Sequence, residues 1–310
     1  MKRKEFISRE ITGTHKLIMR YYKAETKLKG IIVFVHGVSH GAWCWEYFID
    51  YFTKIGYACF AINLRGHGDN DEKDIKGACL LDYVIDVIRC IDYIENHYSD
   101  PEINITYFKP IIIGHSMGGA IVEKYISDFS HKVSSVVLFA PVTTCGMGIG
   151  RIFITSASLR GICTSFTSLL GRKIFLTKSN FFAVKKIIRC LSRIGDEELE
   201  YSKQSLCKES LTAMLNLHKF KLSNPNISIF VIGSDKDAYF PIKSLNKTAN
   251  FYNTTPMILK GLCHDMMLDS EWKKAAESVL EFIENPNELK QNPEKFIDKL
   301  QKKIYPNKTQ

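Results

Sequence analysis

No run of about 18 uncharged apolar residues occurs in this sequence, and the longest uncharged stretch between Arg151 and Arg193, Gly161 to Gly171, is too short to cross a bilayer. A spanning helix is therefore not expected. The chain starts Met-Lys-Arg-Lys-Glu-Phe-Ile, basic but with no apolar core behind the charges, which predicts no secretory signal. Its nine cysteines form no C-x-x-C pair and show no metal-like spacing, the pattern of reduced thiols in a cytoplasm. Small core residues are the expectation. Acidic residues are missing altogether between positions 142 and 193, where nine basic ones stand.

The 310 residues are 45% hydrophobic and 24% charged, suiting one soluble domain of generous size, or one with an insertion. Lys plus Arg balance Asp plus Glu at 17 against 17 over residues 1–141, and stand at 6 against 8 over 226–284. Residues 142–225 hold 13 against 5 and the tail 285–310 holds 6 against 3, so the net +9 belongs to the middle segment and the tail.

Short apolar runs alternate with longer amphipathic segments, the pattern of βαβ units and a mostly parallel sheet. Strands are predicted over 5–11, 16–22, 31–35, 57–62, 110–114, 133–139, 227–233 and 255–259. Helices are predicted over 43–54, 78–96, 117–129, 242–250 and 270–284. The interval of about 85 residues between the sixth and seventh strands is too long for a structureless loop. Within it, residues 181–194 place Phe181, Val184, Ile188 and Leu191 on one face, with Lys185, Lys186, Arg189 and Arg193 largely opposite. Residues 196–220 read as another helix or a pair. Residues 142–225 are accordingly expected to form a helical cap inserted into a core of 1–141 and 226–284. In the polar tail 285–310, Phe296, Leu300 and Ile304 recur every fourth residue, which suits a short docked helix.

The motif carrying chemistry is Gly114-His115-Ser116-Met117-Gly118, directly behind Ile111-Ile112-Ile113. A G-x-S-x-G between a strand and a helix is the sequence form of a nucleophile elbow. Its turn is so sharp that side chains two before and two after the serine would collide. A serine hydroxyl needs a base, and the base an orienting acid. Both follow in the order Ser, Asp, His: the strand ending at Gly233 leads into a loop with Asp235 and Asp237, and the one before Gly261 into a loop with His264. An oxyanion needs donors as well. The Val38 N–H, after the third strand, and the Met117 N–H, at the head of the elbow helix, suit that role.

Four segments carry a resemblance over nearly the whole chain, to about residue 284. They are the H-G-x-x-H-G-A-W-x-W loop from His36, Leu64-Arg65-Gly66-His67-Gly68, the G-H-S-M-G-G elbow, and G-x-x-H-D-M-M-L-D from Gly261. The chain resembles the α/β-hydrolase superfamily, and its first and last motifs resemble small esterases related to plant methylesterases and hydroxynitrile lyases. The elbow and R-G-H-G are shared with lipases and lysophospholipases. The resemblance implies an eight-stranded, mostly parallel sheet with helices on both faces. It also implies Ser116 as nucleophile, His264 as base, and oxyanion donors at Val38 and Met117. The acid it implies stands four residues before a proline, which is Asp237. Asp235 is the runner-up, because family members place the acid three residues past the glycine and Gly233 has aspartates at two and four.

The expected activity is hydrolysis of a carboxylic ester with a lipophilic acyl or alcohol part, through an acyl-enzyme and with no cofactor or metal. The alternatives keep the fold: a C–C hydrolase, an acyltransferase, or a non-catalytic ligand-binding protein. A cyanohydrin lyase ranks low because Ser39 and Lys260 do not match the Thr and Lys such lyases carry. His36, His115, Arg65, His67, Trp43 and Trp45 are expected to shape and pack the site. The basic segment is either a solvated surface, a contact for an anionic membrane, or an attractor of anionic substrates. Nucleic acid is not an expected partner, since no recognised module is visible.

Overall fold

A computed structural model describes residues 5–13, 15–97, 109–144, 146, 196–218 and 221–306. The helix expected over 181–194, and with it most of the basic segment, lies outside the described residues. Eight strands form one sheet: β1 Ile7–Ile11, β2 Leu17–Tyr22, β3 Gly30–Val35, β4 Tyr57–Ile62, β5 Ile111–His115, β6 Ser135–Phe139, β7 Ser228–Ser234 and β8 Met257–Leu259. Their spatial order is β1-β2-β4-β3-β5-β6-β7-β8. β2 runs antiparallel to both β1 and β4, and every other pair is parallel.

The described helices of eight residues or fewer and the longer ones follow in chain order as α1 Glu46–Lys54, α2 Leu80–His97, α3 Met117–Phe129, α4 Asp196–Ser205, α5 Leu211–Asn216, α6 Ile242–Phe251, α7 Trp272–Glu284, α8 Pro286–Gln291 and α9 Pro293–Ile304. The unbroken apolar run of β3 follows from its place in the sheet. Val33 and Val35 enter the core beneath α2, α3 and α6, while Ile32 and Phe34 enter the one beneath α1, α7 and α9. A strand covered on both faces has no position left for a polar side chain. Each such side chain contributes roughly 1.5–3 kcal/mol of burial.

The segment between β6 and β7 re-enters the described residues as two helices, α4 and α5, separated by residues 206–210. Ser210 makes the break useful: its Oγ caps α5 by accepting from Ala213 N and donates to Ala78 O at 2.5 Å. The tail is helical too. Asn292 caps α9 and Pro293 occupies its first turn, while Phe296, Ile297, Leu300 and Ile304 are buried against the α7 side of the sheet. From the same helix Gln301 donates its Nε2 proton to Ile258 O at 2.7 Å, and Lys260 N donates to Tyr305 Oη at 2.6 Å, so groups along the three-residue β8 are paired by side chains. Among the described residues no helix is long and apolar enough to cross a membrane.

Candidate active site

The parallel strands β5, β7 and β8 all deliver their carboxyl ends to one edge of the sheet, where open α/β sheets hold their ligands. Ser116 sits past the first, Asp237 past the second and His264 past the third.

Ser116 has φ +53° and ψ −115°, a conformation that costs a non-glycine residue about 1–3 kcal/mol. Neighbouring strands hold it there: its N–H donates to Phe139 O at 3.0 Å and its carbonyl accepts from Val142 N at 3.1 Å. The flanking glycines answer to backbone more than to each other's side chains. A Cβ at Gly114 would lie 2.5 Å from Gly118 O, and one at Gly118 would lie 2.5 Å from both Val35 O and His36 O. The elbow thus presses directly on the chain leaving β3, which is the loop carrying Val38.

His264 Nδ1 and Asp237 Oδ2 are 2.8 Å apart. The other oxygen of Asp237 accepts from Tyr239 N at 2.7 Å and Phe240 N at 3.0 Å, so the carboxylate is fixed by its own loop. Tyr239 and Phe240 then turn their rings onto the imidazole, with centroids 4.8 and 5.4 Å away. Burial opposes a charge on His264, but Asp237, with a smaller contribution from Asp265, outweighs it and raises the pKa above the usual imidazole value. With Nδ1 engaged, Nε2 is the nitrogen left to exchange a proton. Asp235 is placed elsewhere: it is exposed and accepts from Gly261 N at 2.7 Å, bracing the turn after β8.

Neither the Val38 nor the Met117 N–H has an acceptor among the described residues. The loop that presents Val38 is shaped by His36. Leu64 N donates to its Nε2 at 3.2 Å, so Nδ1 carries the proton and donates to Gly37 O at 2.8 Å. Burial, reinforced by His67, pushes the His36 pKa well down, consistent with a neutral ring. Ser39 follows with φ +60°. Trp43 stacks on His40 with centroids 5.3 Å apart and meets Tyr201 of α4 edge-on, and Trp45 is buried against Phe34, Phe48 and Phe139. Arg65 donates to both oxygens of buried Asp86, and to Asp82, tying the loop after β4 to α2. Lys260 is exposed with its Nζ 5.6 Å from the Tyr305 ring centroid, outside the site.

Two buried carboxylates of this region were not among the expected site residues. Asp265 is 3% exposed, with Oδ1 3.4 Å from His115 Nε2 and Oδ2 3.8 Å from His40 Nε2. Glu209, from the link between α4 and α5, is 2% exposed and reaches His67 at 3.1 Å. Only an apolar neighbourhood would betray such a residue: Glu209 stands among polar ones, whereas Asp265 directly precedes Met266-Met267-Leu268. His115, His264 and Asp265 bring ligand atoms within 4.8 Å of one another. His264 Nδ1 is already held by Asp237, so a metal there would compete for the nitrogen left for proton exchange.

An eight-stranded, mostly parallel sheet with helices on both faces and a strained serine between β5 and α3 is the architecture of the α/β-hydrolases. The chain belongs to the family described as serine aminopeptidase, S33, whose model matches residues 26–271. Among curated proteins it is 31% identical over 113 residues to a pheophorbidase of Raphanus sativus, covering 35% of this chain and 37% of that one. It is 25% identical over 150 residues to a monoacylglycerol lipase of Mycolicibacterium smegmatis, covering 48% of this chain and 51% of that one. The matches thus span about half or less of these relatives. Among solved structures, an esterase from Exiguobacterium antarcticum superposes with a TM-score of 0.69 at 15% identity, over 90% of this chain and all of that one, a likeness of fold.

Proposed function

We propose that the protein is a serine hydrolase of carboxylic esters, with Ser116 as nucleophile, His264 as general base and acid, and Asp237 as the residue that orients it. The observation that carries this is the 2.8 Å pairing of Asp237 Oδ2 with His264 Nδ1, in loops on the same sheet edge as the strained Ser116. His264 Nε2 takes the Ser116 Oγ proton as Oγ bonds to the ester carbonyl carbon. The Val38 and Met117 N–H groups receive the oxyanion, at a helix head whose dipole favours negative charge. The tetrahedral adduct collapses as His264 returns the proton to the departing alcohol. Water, deprotonated by the same nitrogen, then releases the acid and restores Ser116.

A lipophilic acyl or alcohol part is the substrate class in this reading. The relative named as a monoacylglycerol lipase supports it, as do the Phe, Ile and Leu of residues 151–191. In the same reading the nine basic residues from Arg151 to Arg193 offer a contact for an anionic membrane surface. Fluorophosphonate labelling of the wild type and Ser116→Ala, with turnover of esters of increasing acyl length, tests the reading. Label on wild type alone, with turnover rising beyond acetyl, is expected. Label persisting on Ser116→Ala would overturn the assignment of the nucleophile, and turnover confined to short polar esters would overturn the substrate class.

A further inference from the structure

Glu209 lies at the meeting point of four parts of the chain. Its Oε2 accepts from Ser39 N at 3.1 Å and pairs with His67 Nε2 at 3.1 Å, while its Oε1 accepts from Tyr83 Oη at 2.7 Å and from Ser210 N at 2.8 Å. These come from the loop after β3, the R-G-H-G loop after β4, helix α2 and the residue's own link. A carboxylate only 2% exposed must find such partners, and here they converge on the loop that presents Val38.

The same link holds Ser39 from its other side. Cys207 N donates to Ser39 O at 2.8 Å, so both backbone groups of Ser39 are engaged by residues 207 and 209. Gly68 N reaches Cys207 Sγ at 3.2 Å, which fastens the R-G-H-G loop to the same strip of chain. Ser39 needs the support, because φ +60° is a left-handed conformation a serine does not keep unaided. It is also bonded in sequence to Val38, so the rotation that leads into Ser39 sets the plane of the neighbouring peptides.

The charges close the arrangement. Burial opposes ionisation of both partners, yet Glu209 raises the His67 pKa and His67 lowers that of Glu209, so each favours the charged form of the other. His67 Nδ1 lies 2.9 Å from Arg65 O, and its ring centroid is 5.1 Å from that of His36, the histidine that shapes the turn at Gly37. R-G-H-G thereby acquires a task beyond bracing its own loop: its His67 holds the Glu209 carboxylate beneath Ser39.

We infer that Glu209 is a positioning residue for the oxyanion hole, acting through Ser39 on the Val38 N–H. The inference rests on the ester-hydrolase reading above and adds to it that the link between α4 and α5 controls how well the hole is formed. Substrate still binds without Glu209, but the oxyanion is held less well. The loss therefore falls on kcat and not on KM.

The test measures kcat and KM of wild type and Glu209→Gln on one ester, together with Ki for a trifluoromethyl ketone whose adduct with Ser116 carries an oxyanion. Glu209→Gln keeps the shape and removes the charge. The expected result is kcat lowered by roughly 10- to 100-fold, KM changed less than about twofold, and Ki raised by the same factor as kcat falls. Glu209→Asp, which keeps the charge but shortens the reach to Ser39, is expected to show the same split. Unchanged kcat in folded Glu209→Gln would overturn the inference, as would a loss of kcat with Ki unmoved. Should that variant not fold, Tyr83→Phe removes one hydrogen bond to the same carboxylate, with kcat and Ki expected to move together by about fivefold. Wild type that neither labels with fluorophosphonate nor turns over esters overturns the ester reading and this inference with it. A labelled, active wild type with an indifferent Glu209→Gln overturns this inference alone.

Discussion

His115 Nε2 lies 3.3 Å from the carbonyl oxygen of His264 and 3.4 Å from Asp265 Oδ1. The residue immediately before the elbow serine thus touches the backbone that carries the candidate base. Two loops from strands not adjacent in the sheet are joined by one buried ring, and the separation of serine and imidazole depends on that ring as well as on Asp237.

The two aspartates after β7 should behave very differently. Asp237→Asn leaves His264 without its anion and is expected to lower kcat/KM by about 10⁴-fold. Asp235→Asn touches only the Gly261 turn and should stay within about threefold, the range of a surface change. Steady-state kinetics on one ester decides. Equal losses would undo the assignment of the acid.

The pH profile has a definite sign. In the proposed mechanism His264 is the neutral base, and Asp237 and Asp265 raise its pKa above 6.5. The acidic limb of kcat/KM is therefore expected above pH 6.5, with activity falling as pH drops through it. Asp265→Asn removes one of the raising charges and should shift the limb to lower pH.

The His67–Glu209 pair makes stability depend on pH from both sides. The raised His67 contributes stability that is present below 6.5 and is lost as pH rises through its folded value. The depressed Glu209 contributes stability that is present above 4.5 and is lost as pH falls through its folded value. Chemical denaturation across pH should show that contribution in wild type and its disappearance in Glu209→Gln.

Gly118→Ala places a methyl against Val35 O and His36 O, two backbone atoms that cannot turn aside. A loss of about 1–3 kcal/mol or more is expected, seen as a lower denaturation midpoint, with a larger drop in kcat because the displaced chain leads to Val38.

What was legible in the sequence follows from which signals are local. The apolar runs of β3, β4 and β5 announce strands because both of their faces are covered, and G-x-S-x-G announces a turn because its constraint lies within five residues. The predicted strand at 255–259 contracts to Met257–Leu259, since Thr254, Thr255 and Pro256 precede any pairing with β7. The sequence alone separated Asp237 from Asp235 only by resemblance. In the structure the separation comes from loop geometry, where Tyr239 and Phe240 donate to one carboxylate and Gly261 to the other. Glu209 was illegible because its burial is made by residues far away in the chain: His67 lies 142 positions from it.

A sheet has two margins, and this chain treats them unequally. At β8, Gln301 and Tyr305 occupy groups that a further strand would otherwise use. At β1, Ile7 is 50% exposed with Phe6 beside it at 40%. Unpaired strand borders invite edge-to-edge association between molecules. The C-terminal helices therefore do more than add apolar burial: among the described residues they occupy the β8 border while β1 keeps an open one, and a chain shortened before Pro286 would uncover β8 as well.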